Sequence, residues 1–149
     1  MNDDFSLAKR RPGDAGFTLI ELMVTVAVVA VLASITYPSF AGFVVRSKVP
    51  SGLVALTVLS MRMEQVYQDT GRYGAGGCGA TPGPVKDFEI SCTLTSDGQG
   101  FTATATGQGM LRGYRYAIDN DSRKTTLAHP NGVPATACWT IKGGASCDM

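Results

Sequence analysis

The run from Gly16 to Val45, GFTLIELMVTVAVVAVLASITYPSFAGFVV, limits what this chain can fold into more than any other feature. Glu21 is its one side chain that is charged near neutral pH. A helix of ~20 apolar residues crosses a bilayer core, so the run is long enough to span with a little to spare. A charge at the bilayer centre costs ~2.5–3.5 kcal/mol even on the lenient insertion scale. Glu21 therefore either sits shallow or has a partner. A carboxylate in the first turn of a helix is also favoured by the helix dipole, by ~0.3–1 kcal/mol at exposed sites, and that alone needs no partner.

Lys9, Arg10 and Arg11 precede the run, and only Arg46 and Lys48 follow closely. Basic residues favour the cytoplasmic side, which predicts a cytoplasmic N-terminus and an exported C-terminal part. The alternative is an ordinary secretory signal peptide, with Ser39-Phe40-Ala41 as its small-x-small cleavage site. Two features oppose it. The run exceeds the ~7–15 residues of a signal core, and Gly16, Phe17 and Glu21 stand where a signal peptide has no use for them. Pro38 has no N–H and clashes with the carbonyl one turn back, which predicts a kink or a loosened turn. Gly42 adds local freedom, and Pro50 is expected to be a second break. Prolines are also simply tolerated in membrane helices, and both readings of Pro38 stay open.

With a basic leader, Gly16, Phe17, Glu21 and an uninterrupted apolar run, the segment resembles the N-terminus of type IV pilin precursors and their secretion-system relatives, the pseudopilins. Pro38 matches a proline that the family places about two-thirds of the way along its hydrophobic helix. The resemblance covers roughly the first third of the chain. It implies that a prepilin peptidase cuts after Gly16 on the cytoplasmic side and methylates the new N-terminus at Phe17. It also implies that Glu21 of one subunit neutralises the terminal amine of a neighbour inside a filament. Physics supports that role, because an unpaired carboxylate among waterless helices is expensive. The domain reading is a leader at 1–16, a transmembrane and assembly helix at 17–45, and a periplasmic or extracellular headgroup at 46–149.

Removing the leader takes away Asp3, Asp4 and Asp14 with Lys9, Arg10 and Arg11, which cancel, so the net charge stays +1. That balance is no general nucleic-acid footprint. Beyond the run, Val49, Leu53, Leu56, Ser60, Met63 and Tyr67 alternate at spacings of four and three, widened by Leu59 and Val66. That is a helix laying one face on something apolar. Arg62, Glu64, Gln68 and Asp69 mark its wet face, and Gly71 is a left-handed cap.

GRYGAGGCGATPGP, from Gly71 to Pro84, reads as a flexible connector. Gly74, Gly76 and Gly79 fit G-x-G-x-x-G, but the pattern follows a helix instead of joining a strand to one, which argues against a dinucleotide site. From Phe88 the period becomes two. Phe88–Leu94, Phe101–Thr106, Tyr114–Ile118 and Thr125–Ala128 read as strands. Short turns between them predict an antiparallel meander. The expected class is α+β: a pilin fold, in which a long N-terminal helix packs on a roughly four-stranded antiparallel sheet.

Cys78, Cys92, Cys138 and Cys147 all lie on the exported side, where disulfides persist. Four cysteines allow three pairings, and sequence alone does not choose. Proximity, and the resemblance to a family that often closes a C-terminal loop this way, favour Cys78–Cys92 and Cys138–Cys147. Zinc is disfavoured, because there is no C-x-x-C pair and His129 is the sole histidine. No catalytic constellation is visible, and no metal or other cofactor is implied. Arg112, Arg115, Arg123 and Lys124 fall close together, with Tyr114 and Tyr116 as stacking neighbours. Such charges usually form a solvated sheet face or protect an edge strand. The rival reading is a small basic patch for DNA phosphates.

The expected function is a structural subunit, a minor pilin, of a type IV pilus, with roles in biogenesis, adhesion or twitching motility. Its expected partners are other pilins, the prepilin peptidase and the inner membrane, where it waits as a single-pass protein before reaching the cell surface. The alternatives are a type II secretion pseudopilin, a DNA-uptake pilin, and a tethered domain that never polymerises.

Overall fold

The computed structural model describes residues 16–149, without the side chains at positions 36–39 and 41. Most of the leader expected at 1–16, and the side chain of Pro38, lie outside the described residues. Helix α1 runs Leu19–Thr70. The chain divides into two units, one ending at Ser39 and the other running Phe40–Met149.

In the first unit α1 begins at a Thr-x-x-Glu pattern. Thr18 and Glu21 bond reciprocally across the first turn, so side chains occupy donors that the helix start leaves orphaned. Further along, the hydroxyls of Thr25 and Ser34 donate to the carbonyls of Leu22 and Val31. The few polar groups are thus turned back onto the helix.

In the second unit α1 continues through Pro50. The expected break there does not occur. Proline forfeits one backbone bond, but neighbouring side chains bond in the same turns: the hydroxyls of Ser47 and Ser51 donate to the carbonyls of Val44 and Lys48. The helix ends at Gly71, with φ at +73° and its N–H donating to the Tyr67 carbonyl, the left-handed cap that glycine adopts without a Cβ clash.

Strands β1 (Phe88–Leu94), β2 (Phe101–Gly107), β3 (Arg115–Asp119) and β4 (Lys124–Ala128) form one antiparallel sheet in chain order. Phe88 pairs with Gly107, Thr102 with Asp119 and Ala117 with Thr125. Alternation sends Phe101, Ala103 and Ala105 of β2 and Tyr116 and Ile118 of β3 into one cluster with Val49, Leu53, Leu56, Leu59 and Met63 of α1. This is the one-sided burial of an antiparallel sheet. The helix also approaches β1 closely. A Cβ on Gly52 would lie 2.7 Å from the Phe88 ring, so the glycine makes room for an aromatic. Lys48 and Asp87 pair nearby at 3.0 Å, a partly exposed contact worth ~0.2–1 kcal/mol.

The Gly-rich connector, expected as a flexible loop, is anchored near its start by Tyr73. Tyr73 is buried, stacked on Tyr67 and set edge-on to Phe101. Its hydroxyl donates to Glu64 at 2.8 Å. Its N–H donates to the Gly98 carbonyl, and its own carbonyl accepts from Gly79. Burial, and then the Glu64 carboxylate, push the phenol pKa up to about 12. Tyr67 is itself 37% exposed. It closes the helical stripe as a lid on Tyr73 more than as core.

Beyond β4 the chain folds back without forming a further strand and is fastened by side chains. The Tyr116 hydroxyl donates to the Thr140 carbonyl, the Trp139 indole to the Ala117 carbonyl and the Thr126 hydroxyl to the Cys138 carbonyl. Asp148 then accepts the N–H groups of Ile141 and Lys142 at 2.7 and 3.0 Å. Partial burial raises the Asp148 carboxyl, but these two bonds, with a hydrogen bond from Thr140 and the charge of Lys142, outweigh it and hold the group below its ordinary value.

Two outcomes follow for thermal unfolding of the detergent-solubilised chain. Gly52→Ala should lower the midpoint, since overpacking costs ~1–3 kcal/mol against ~0.8–1 kcal/mol gained in helix propensity. Gly42→Ala, with nothing within 4 Å of the new Cβ, should not lower it. Equal effects of the two would refute the close helix–strand contact. Asp148→Asn should also lower the midpoint at neutral pH. Because the folded carboxyl is lowered, its contribution is complete above ~3.9, the unfolded value, and is lost as pH falls through the folded one. The gap between wild type and variant should therefore close in acid; a gap independent of pH would show that the charge is not what holds the clasp.

Candidate assembly segment

An apolar face becomes an assembly surface when nothing in its own chain covers it. Among the described residues of the first unit, exposed apolar side chains lie all round the helix. Leu19 is 78% exposed, Ile20 67% and Leu32 59%. Burying one such side chain is worth ~1.5–3 kcal/mol, so a whole face of them demands lipid or another protein. In the second unit, past Phe40 and Phe43, the exposed large apolar residues of α1 thin out to Val54, Val58, Met61 and Tyr67, because the opposite stripe is spent on the sheet.

Phe17 is exposed at the head of this surface, beside Gly16. Glu21 follows one turn into α1. The bonds between Thr18 and Glu21 measure 3.3 to 3.5 Å, long beside the usual ~2.9 Å. A carboxylate accepts at about four positions, so this loose box leaves Glu21 room to receive a further donor such as an amine. Pro38 lies within the span of α1.

The structure joins Cys78 to Cys92 and Cys138 to Cys147, with Cα atoms 6.2 and 5.8 Å apart. The first ties the Gly-rich connector to β1. The second closes the loop that carries Trp139 and Asp148. Closing loops of this size contributes up to ~3 kcal/mol.

The four basic residues are all exposed but are not brought together. Arg115 pairs with Ala128 at one end of the β3–β4 hairpin, while Lys124 pairs with Ile118 at the other, beside Arg123. At ~3.3 Å per residue the two ends stand roughly 10 Å apart. Lys124 is further engaged over the Trp139 ring, 4.9 Å from its centroid. Tyr116 is fully buried and Tyr114 nearly so, so neither offers a face for a base to stack on.

His129 is a structural residue. Its Nδ1 accepts the Asn131 N–H at 3.0 Å, and its Nε2 lies 3.1 Å from the Ile141 carbonyl. The Nε2–H tautomer satisfies both contacts. Among the described residues, no group of three or more His, Cys, Asp or Glu is placed to hold a metal. Sequence reasoning gave Tyr73 no role. The available signal for Tyr73 was a single large aromatic inside a glycine-rich stretch.

Residues 11–37 match the family described as the prokaryotic N-terminal methylation motif. The type IV major fimbrial protein FimA of Dichelobacter nodosus is 29% identical over 130 residues, covering 84% of this chain and 80% of that one. A probable minor fimbrial protein of the same organism is 48% identical over 54 residues, covering 36% of this chain and 34% of its own length. The chain spans only 61% of other D. nodosus fimbrial proteins that it matches at 30–31% identity. A solved type IV pilin from Shewanella oneidensis aligns with a TM-score of 0.43 at 23% identity, over 59% of this chain and 89% of that one. The motif at residues 11–37 and the similarity to type IV fimbrial proteins over most of the chain point to a structural subunit, not an enzyme.

Proposed function

We propose that this chain is a minor subunit of a type IV pilus. A prepilin peptidase removes residues 1–16 and methylates Phe17; residues 17–45 hold the protein in the inner membrane and later pack with neighbouring subunits; residues 46–149 form the outward headgroup. The observation that carries the reading is the bare apolar helix of the first unit, with one carboxylate in its first turn.

Assembly then exchanges one apolar solvent for another. In lipid, Glu21 is near the interface and its box with Thr18 is enough. In a filament the same helix is surrounded by others, water is absent, and a carboxylate left alone is costly. The amine of Phe17 on an adjacent subunit is the cation that fits the open acceptor positions of Glu21. Similarity to a protein named as a minor fimbrial subunit supports the minor assignment. Fimbrial names among the relatives favour a pilus over a secretion pseudopilus.

Mass spectrometry of sheared filaments tests this. The chain should be present at low abundance, beginning at methylated Phe17. Glu21→Ala should still be cleaved at Gly16 yet fall at least about tenfold in filaments, the factor that 1.4 kcal/mol produces. Normal incorporation of that variant, or a mature chain that begins at Gly42, would refute the proposal.

A further inference from the structure

Two shallow grooves of about 380 and 390 Å³ flank Arg46 in the unit that begins at Phe40. One is bounded by Phe43, Ile141, Lys142 and Asp148. The other leads past Val45 to Met110, Arg112 and Pro130. Three stretches far apart in sequence therefore deliver a cation each, Arg46, Arg112 and Lys142, to the start of this part of α1. All three are exposed, and among the described residues none makes an ion pair. The one carboxylate in these grooves, Asp148, accepts from the backbone N–H groups of Ile141 and Lys142, and its charge also attracts the Lys142 ammonium. Apolar side chains stand among the cations: Phe43 is 68% exposed and Met110 57%.

This composition changes at a defined level of the chain. The run without charged side chains ends at Val45, and Arg46 is the next residue. Where an apolar helix leaves a bilayer, long basic side chains reach up to the phosphates while their stems stay in the acyl boundary. Arg112 and Lys142 come to that same level from the headgroup. A ring of cations interleaved with a phenylalanine and a methionine matches a surface that is anionic at the phosphates and apolar just beneath.

We propose that this end of the headgroup binds anionic phospholipid on the outer face of the membrane that holds the chain. Arg46, Arg112 and Lys142 take the phosphates, and Phe43 and Met110 enter the acyl boundary. The inference rests on the reading of the helix as membrane-held. It adds a function to the waiting state: the headgroup is docked on lipid, and leaving for a filament requires giving up those phosphates.

The full chain, reconstituted in nanodiscs of phosphatidylcholine alone or with phosphatidylglycerol, tests this by amide hydrogen exchange. Phosphatidylglycerol should slow exchange roughly threefold or more around residues 109–113 and 141–144. Salt at about 1 M, where the Debye length falls to ~3 Å, should reverse the effect. The variant combining Arg46→Gln, Arg112→Gln and Lys142→Gln should lose it, with exchange in β2 and β3 unchanged as evidence that it is folded. Equal exchange in the two lipids would overturn the proposal. So would protection of these segments that appears only in assembled filaments, which would assign the grooves to a second copy of the chain. Protection of Leu19–Ile35 in both discs reports the membrane-held state separately, so its failure is distinguishable from failure of lipid docking.

Discussion

The contact on which the rest depends is the stripe of α1 from Val49 to Met63 laid on the alternating face of β2 and β3. Val49, Leu56 and Met63 are fully buried there, as are Ala103, Ala105 and Tyr116. The small residues at the centre of β2 let a helix lie close without displacing its neighbours, and Gly52 does the same for Phe88 on the helix side. Because one face of the helix is committed in this way, its other face remains available along the headgroup, where Val54, Val58 and Met61 are exposed. Interiors are packed densely enough that such close approaches tolerate little added volume. The same packing makes the second unit one compact body.

Much of this was legible because periodicity reports burial. The four strands read from Phe88, Phe101, Tyr114 and Thr125 agree with the sheet to within one residue at every end, since alternation of apolar and polar residues is what a one-sided sheet requires. The helical stripe was legible for the same reason. Pro50 was misread because a local rule was applied without its context: the ~3 kcal/mol cost of an interior proline is offset where the helix packs Val49 and Leu53 into the core on either side of it. The Gly-rich connector was misread because composition reports the freedom of the backbone and is silent about a single anchor. Tyr73 supplies that anchor through its ring, its hydroxyl and both of its backbone groups.

The C-terminal segment was the least legible part. No period of two or 3.6 marks Cys138 to Met149, because its hydrogen bonds each use a side chain on one side or the other and do not form a ladder. Tyr116, Thr126 and His129 each contact a different carbonyl there. Such bonds depend on where individual rotamers reach, and that is not written in the spacing of apolar residues. The basic residues show the same limit from the opposite side. Arg115 and Arg123 are close in sequence, yet the hairpin that makes them neighbours in the chain holds them at opposite ends.

The two arrangements of cations have different physical meanings. On the β3–β4 hairpin the basic residues are spread along the strands, and one is held over an aromatic ring; scattered exposed charge of this kind mainly keeps a sheet soluble and its edge unpaired. Around Arg46 three cations from separate segments converge beside bare apolar side chains. Convergence from distant parts of the sequence requires the folded sheet and the C-terminal clasp to be in place, because Lys142 is positioned by the Asp148 bond to its own N–H. Folding of the headgroup thus precedes completion of this surface. The Cys138–Cys147 disulfide closes the loop that carries both Lys142 and Asp148, so the clasp and the groove beside Arg46 share one covalent support.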